Sequence, residues 1–354
     1  MKAVVLAGGV GFGNCPLTIV RPRPLFPVPD GVLLEYALRA LRTVGVEDVM
    51  ICAGSSTPML AAHCERFPPA GMRLHWHQDA FLRGTAGCLG DVASFLQGER
   101  FLVLDGNLVL DGDLSCIVDD HKRQGAAMTL GVVPARTWYG GQTGESDGDQ
   151  LAPLGVYVVE SDVLGHVPEQ GYFDLKEQLI PRLRERHFAT GVSLFRGRHR
   201  RVVDARSYAR LVQEILHMTF GEEPFARLTA MAPGVWAGPD VTVAPSALLI
   251  GPLVLGSGTT IGEHAIVVGP GFLGERVAIE SKSVVVGSIL WPEATVGREA
   301  RVEDSIVTDH FQVARFSSLA HCVAIDAGLA LAQMNGLHRA GYAVRAMTDI
   351  CAAA

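Results

Sequence analysis

The sequence has no Cys-x-x-Cys pair, no apolar run approaching the roughly 18 residues of a membrane span, and no excess of basic over acidic side chains. Each absence removes a class of protein. Seven cysteines, Cys15, Cys52, Cys64, Cys88, Cys116, Cys322 and Cys351, are odd in number and scattered. Neither a disulfide framework nor a zinc site is expected of them, and a reducing cytoplasm suits them. Lys2 and the short apolar run behind it pass straight into glycines, unlike a secretory leader, so export and membrane insertion are not expected. Lys and Arg are dispersed in a chain of net charge −7, which speaks against nucleic acid as a partner. A small anionic ligand would need a local positive site. Aromatics are scarce at 7%, whereas 40 glycines and 19 prolines accompany 48% hydrophobic residues, a mixture that points to tight turns around packed interiors rather than to disorder. At 354 residues, two domains are expected.

From residue 1 to about 217, short apolar runs alternate with amphipathic stretches. Lys2–Ala7, Asp48–Ala53, Met72–Trp76 and Phe101–Leu104 read as strands, Val32–Val44 and Thr85–Leu96 as helices. The alternation predicts a mixed, mostly parallel sheet with helices on both faces, a Rossmann-like α/β layer whose ligands gather at the carboxyl ends of the strands. The glycine-rich stretch after Lys2–Ala7 and the turn Asp105-Gly106-Asn107 both fall at such ends. Arg196–Arg201, with His199, reads as a solvated turn or, just before Asp204, as a segment near the phosphates, and His75-Trp76-His77 as the end of a strand entering the pocket.

Beyond residue 235 an aliphatic or aromatic residue recurs every six positions, at Val243, Leu249, Leu255, Ile261, Val267, Leu273, Ile279, Val285 and Trp291. Such a period predicts a parallel β-helix, in which no coil is stable without its neighbours. Gly221-Glu222-Glu223-Pro224 and Pro233-Gly234 break the pattern before it, and after residue 311 the repeat is lost. The segment Ser318–Met347, rich in Ala and Leu, is expected to form one or two helices closing the open coil. The expected layout is thus a nucleotide-binding domain over 1–217, a linker over 218–234, the β-helix over 235–311 and a helical cap over 312–354.

The densest signal is Val5-Leu6-Ala7-Gly8-Gly9-Val10-Gly11-Phe12-Gly13-Asn14-Cys15-Pro16-Leu17-Thr18, continued by Pro22-Arg23-Pro24-Leu25-Phe26-Pro27-Val28. A dinucleotide fingerprint fails on spacing, because the last glycine would have to stand at Asn14 or Pro16. A P-loop fails because Asn14 follows Gly13. The prolines also forbid the long helix that either motif opens. An extended loop remains, whose glycines let backbone amides approach a base and phosphates closely.

These residues resemble the opening of the sugar-1-phosphate nucleotidyltransferase family, whose members read LAGGxGTRLxPLTxxxPKPLxPV. Within that family the chain is similar to mannose-1-phosphate guanylyltransferases, and the left-handed form of the β-helix is what the resemblance implies for the C-terminal half. Three further elements carry it: Gln78 with Gly84-Thr85-Ala86-Gly87, the run Phe101–Leu104 followed by Asp105-Gly106-Asn107, and Val202-Val203-Asp204-Ala205-Arg206. By resemblance, Leu6, Ala7, Gly8, Gly9, Gly11, Gln78, Gly84, Thr85 and Asp105 are the nucleotide-binding residues. Arg23 and Asp204 are the catalytic ones, and Asp204, Asn107 and Asp105 are the candidate ligands of a Mg²⁺ ion.

The family's reaction, attack of a sugar 1-phosphate on the α-phosphate of a nucleoside triphosphate, depends on alignment and on countercharge. Here the expected Arg is Gly13, the Lys is Arg23 and the first Asp is Asn107, while the expected Glu-Lys-Pro hairpin is reduced to the polar stretch Gly140–Gln150. A guanidinium at 23 still grips phosphate, but an amide at 107 brings an oxygen without the charge that Mg²⁺ favours. Three readings stand. One is a protein that binds a nucleotide or nucleotide sugar with weak or no transfer, working as a homo-oligomer or beside an active relative through its β-helix. A second is an active transferase with a relocated, weakened Mg²⁺ site, and a third is a structural partner whose pocket is vestigial.

Overall fold

The computed structural model describes residues 1–8, 15–79, 81–135, 150–217 and 228–326. Gly9, Gly11, most of the Gly140–Gln150 stretch, the first part of the 218–234 linker and the segment beyond 326 lie outside them. The chain divides into two compact units: Met1–Gly11, Arg23–Leu25 and Val32–Val202 make the first, and Phe12–Pro22, Phe26–Gly31 and Val203–Ala354 the second. The helix Ala205–Leu216, placed before the linker by the sequence layout, is thus counted with the second unit.

Among the described residues, the main strands of the first unit are β1 (Lys2–Leu6), β2 (Asp48–Ala53), β3 (Arg73–Gln78), β4 (Phe101–Asp105), β5 (Leu108–Asp111), β6 (Met128–Pro134), β7 (Leu151–Val159), β8 (Thr190–Leu194) and β9 (Arg198–Arg201). Seven of them form one sheet in the order β8-β6-β7-β4-β1-β2-β3, parallel throughout except for β7, which runs antiparallel to both its neighbours. The mostly parallel α/β sheet expected from the alternation is therefore present. Side chains of successive strand residues point to opposite faces. Accordingly, Ala3 and Val5 join a core with Leu34, Leu38 and Leu41 of helix α1 (Leu33–Thr43), whereas Val4 joins another with Ala86 and Leu89 of helix α2 (Gly84–Asp91). Each face is thereby covered by helix. Strand β9 pairs antiparallel with β5 in a separate ribbon, so Arg198–Arg201 is a strand and not the solvated turn expected from its charge.

In the second unit, three stacked parallel sheets form the β-helix. Partners lie eighteen residues apart in the first coils, as with Leu255 and Leu273, and seventeen apart later, as with Leu273 and Leu290. Each later coil is one residue short, so the row continues through Leu290, Val307 and Ala324 and the expected row member Trp291 falls one place out of register. The repeated slip keeps the six-residue count from resuming, although the coils continue. Gln312–Val313, Ser318–Ala320 and Val323–Ala324 are strands of the same three sheets, which corrects the helix expected from Ser318 for the part up to residue 326, the rest of Ser318–Met347 lying outside the described residues. Buried aliphatic side chains stacking on the coil below favour strand over the intrinsic helix preference of Ala and Leu.

Trp291 instead packs against Phe26 and Tyr208, with ring centroids 5.3 and 6.0 Å away. Its Nε1–H donates to the Tyr208 hydroxyl at 2.9 Å, and that hydroxyl donates to the Pro27 carbonyl. Arg21 forms a two-pronged ion pair with the buried Asp309. Arg21, Phe26 and Pro27 of the signature loop are therefore fixed within the second unit. Among the described residues no helix is long and apolar enough to cross a membrane.

Candidate active site

The carboxyl ends of β1, β2, β3 and β4 lie side by side. Register pairs Leu6 with Cys52 and with Asp105, and Ala53 with Gln78. Leu6 and Ala7 continue the ladder past the strand, since the Leu6 carbonyl accepts from Gly106 N–H at 2.9 Å and Ala7 N–H donates to the Cys52 carbonyl at 2.7 Å. A Cβ on Gly8 would stand 3.1 Å from Asp79 Oδ2 and 3.2 Å from the Gly54 nitrogen, and one on Gly106 would stand 3.0 Å from the Leu6 carbonyl oxygen. Only the bare backbone passes here without displacing a neighbour. Of the expected nucleotide residues, Leu6, Ala7, Gly8, Gln78 and Asp105 are gathered at this edge.

Gly84 and Thr85 open helix α2, and their described contacts are internal. Gly84 has φ +76, and a Cβ there would come within 2.6 Å of the Phe173 carbonyl oxygen. That carbonyl accepts from Ala86 and Gly87 N–H at 3.0 Å, satisfying two donors at the helix start. The Thr85 hydroxyl donates to Asp174 Oδ2 at 2.9 Å and accepts from Leu175 N–H at 2.8 Å. This Gly-Thr pair thus fastens α2 to the Phe173–Leu175 segment. Arg23 lies in a short 3₁₀ turn, Arg23–Leu25, of the first unit.

The Asp105 corner holds a residue to which the sequence reading gave no partner. Strand β9 delivers Arg201, whose Nη1 donates to Asp105 Oδ2 at 2.6 Å and faces Asn107 Oδ1 at 3.4 Å, while Nη2 donates to the Leu154 carbonyl at 2.9 Å. The pair is largely enclosed, with the Arg201 and Asp105 side chains 13% and 18% exposed. Asn107 is fixed as well, its Nδ2 donating to the Val202 carbonyl at 3.2 Å. Asp204, counted with the second unit, spends its carboxylate at the N-terminus of the helix Ala205–Leu216, accepting from Ser207 N–H and Oγ–H, each at 2.7 Å.

Mg²⁺ takes near-octahedral oxygen donors, carboxylates and water above all. At this corner the single carboxylate is bonded to a guanidinium and the amide oxygen of Asn107 faces the same positive charge, so the residues present do not fit the ion. A group with metal-like spacing lies instead on β3 and α2. Ligand atoms of His77, Asp79 and Asp91 fall within 4.8 Å of one another. His77 Nε2 is 3.3 Å from Asp79 Oδ1 and 3.9 Å from Asp91 Oδ2, while Arg83 pairs with Asp91. Burial pushes the Asp79 carboxyl above its ordinary value, partly offset by His77 and by a hydrogen bond from the Cys88 thiol. None of Asp79, Asp91 and Arg201 belongs to a motif.

Residues 2–140 match the family described as nucleotidyl transferase. The chain is 26% identical over 281 residues to the mannose-1-phosphate guanylyltransferase of Mycobacterium tuberculosis, covering 73% of this chain and 76% of that one. It is 24% identical over 213 residues to the UTP–glucose-1-phosphate uridylyltransferase of Synechocystis, covering 52% and 55%. A Bacillus anthracis crystal structure assigned as a glucose-1-phosphate thymidylyltransferase superposes with a TM-score of 0.51 at 18% identity, over 60% of this chain and 94% of that one. At that identity the likeness is one of fold.

Proposed function

We propose that this chain, whose residues 2–140 match the nucleotidyl transferase family and which is similar to sugar-1-phosphate nucleotidyltransferases, binds a nucleotide or nucleotide sugar and transfers poorly or not at all. The observation that carries the reading is the edge where Leu6, Gln78 and Asp105 end adjacent strands beside bare backbone at Gly8 and Gly106. A planar base and a phosphate chain can lie against such an edge, as ligands do at strand ends of α/β sheets. Transfer is another matter. Loss of one preorganised charge donor slows such reactions about 100- to 1,000-fold, and Gly13, Asn107 and the missing Glu-Lys-Pro hairpin are three separate departures. Arg23 remains as a candidate phosphate contact, with Gly9 and Gly11 as candidate backbone donors.

The rival reading, an active transferase with its metal moved, draws on the His77, Asp79 and Asp91 group. Calorimetry with GDP-mannose, UDP-glucose, dTDP-glucose and the matching triphosphates, paired with a pyrophosphate-release assay using each sugar 1-phosphate, separates the two. The proposal expects binding of at least one nucleotide sugar and turnover at least about 100-fold below that of a sound relative. No binding of any of them would end it, and brisk Mg²⁺-dependent turnover would establish the rival. The association we propose through the β-helix draws on apolar side chains left exposed there, Leu248 and Ile250 among them. Light scattering on the purified chain, alone and mixed with a transferase relative, tests it.

A further inference from the structure

We infer that Arg201 is the resident cation of the Asp105 corner, built in where a divalent ion would otherwise sit, and that this corner excludes divalent metals. Three features of the fold, on β9 and on one irregular stretch of β7, are shaped around the guanidinium. First, β9 pairs with β5 in a register that sets Arg201 opposite Leu108, next to the Asp105-Gly106-Asn107 turn. Second, the pairing of β6 with β7 shifts register between Leu130 and Val132, and within that irregular stretch the Leu154 carbonyl turns to accept from Arg201. Third, Gly155 in the same stretch has φ +91, and a Cβ there would run into the guanidinium and stand 2.5 Å from Asp105 Oδ2. A left-handed backbone without a side chain is what gives the ion pair its room.

A surface arginine that happened to reach a carboxylate would not need a bulge and a glycine on a third strand. Here strand, bulge and glycine each supply a different part of one enclosure. Asn107 completes it, since its oxygen faces the guanidinium while its nitrogen is bonded to the Val202 carbonyl. A metal ion in contact with Asp105 would have to displace the guanidinium or share the corner with a fixed positive charge. That a ligand bound at this edge needs no Mg²⁺ is the part of the inference that rests on the nucleotide-binding reading.

The probe is Mn²⁺ alone, counted by the electron paramagnetic resonance of the free ion, against the full-length wild type, Asp105→Asn, Arg201→Gln and the double variant. The inference expects identical isotherms for wild type and Asp105→Asn, because any ion held elsewhere, as by the His77 group, cancels. It expects Arg201→Gln to gain affinity by at least about tenfold, and the double variant to lose that gain. A wild-type site removed by Asp105→Asn overturns it, as does an Arg201→Gln isotherm matching the wild type. Should a variant fail to give a native near-ultraviolet circular dichroism spectrum, crystals of the wild type soaked in Mn²⁺ decide. An anomalous peak touching Asp105 overturns the inference, and its absence there supports it. GDP-mannose and UDP-glucose titrations in EDTA and in Mg²⁺ then test the consequence for ligands. Dissociation constants within about twofold support it, and binding that demands Mg²⁺ overturns it. If neither sugar nucleotide binds, the functional reading falls while the Mn²⁺ result still decides the inference.

Discussion

Strands β3 and β4 end with a carboxylate at or just past the same edge of one sheet, Asp79 after the first and Asp105 at the tip of the second, and the two have opposite surroundings. Asp105 meets a guanidinium fixed by three strands. Asp79 has an oxygen buried without a hydrogen bond, an imidazole 3.3 Å away and a neighbouring carboxylate in Asp91. The acid that the family resemblance singled out is thus neutralised, whereas the one it ignored is left short of countercharge. A carboxylate at a strand end says little about chemistry until its partner is known, because the partner decides whether charge there is comfortable or costly.

The largest effect is expected from separating the compensated pair. Asp105→Ala leaves Arg201 enclosed without its counter-ion and should cost about 3 kcal/mol, read as a lower urea midpoint at unchanged slope. A loss below about 0.5 kcal/mol would put the pair with ordinary surface ion pairs and erase the contrast with Asp79. Next comes Gly155→Ala, which forces a side chain into a left-handed residue facing the same pair. About 2 kcal/mol should be lost, visible as a lower melting temperature, and the double variant Gly155→Ala/Arg201→Gln should lose less than the sum.

Smaller is Thr85→Val, which strips the hydroxyl that ties α2, the helix carrying Asp91, to Asp174 and Leu175. About 1 kcal/mol is expected, together with faster amide exchange at the start of α2. The smallest change, and the one of opposite sign, is Asp79→Asn. Because burial raises the folded-state titration of Asp79 above its ordinary value of 3.8, its favourable contribution is present below that value and is lost as pH rises through the folded one. The amide removes that loss. The variant should therefore match the wild type at about pH 3 and melt higher at about pH 7, and no gain at neutral pH would show that Asp79 is not strained.

The contrast also marks what could be read without coordinates. Strands β1, β2 and β4 were legible because central parallel strands, buried on both faces, read as continuous apolar runs. Helix α1 was legible because Leu34, Leu38 and Leu41 repeat on one face. Strand β9 was not, since Arg198, His199, Arg200 and Arg201 show no alternation of polarity. What makes a strand of them is pairing to β5 and a carboxylate 96 positions away. The coils of the β-helix were legible up to Trp291, where one missing residue put the six-residue count out of step with the stacked rows. Of the candidate site, the position of Gly8 at the end of β1 followed from the apolar run before it. The occupant of its acidic corner did not, because no local pattern announces a long-range ion pair.

The Phe26, Tyr208 and Trp291 cluster, joined through the Tyr208 hydroxyl to Pro27, has a bearing on inheritance. The tail of the signature loop shares an interior with a tryptophan from the fourth coil, so the two halves of this gene are not freely interchangeable cassettes. A chimera that borrowed the front half from one relative and the coiled half from another would have to carry all three aromatics from a single parent, and recombination between lineages would be selected against wherever it split them.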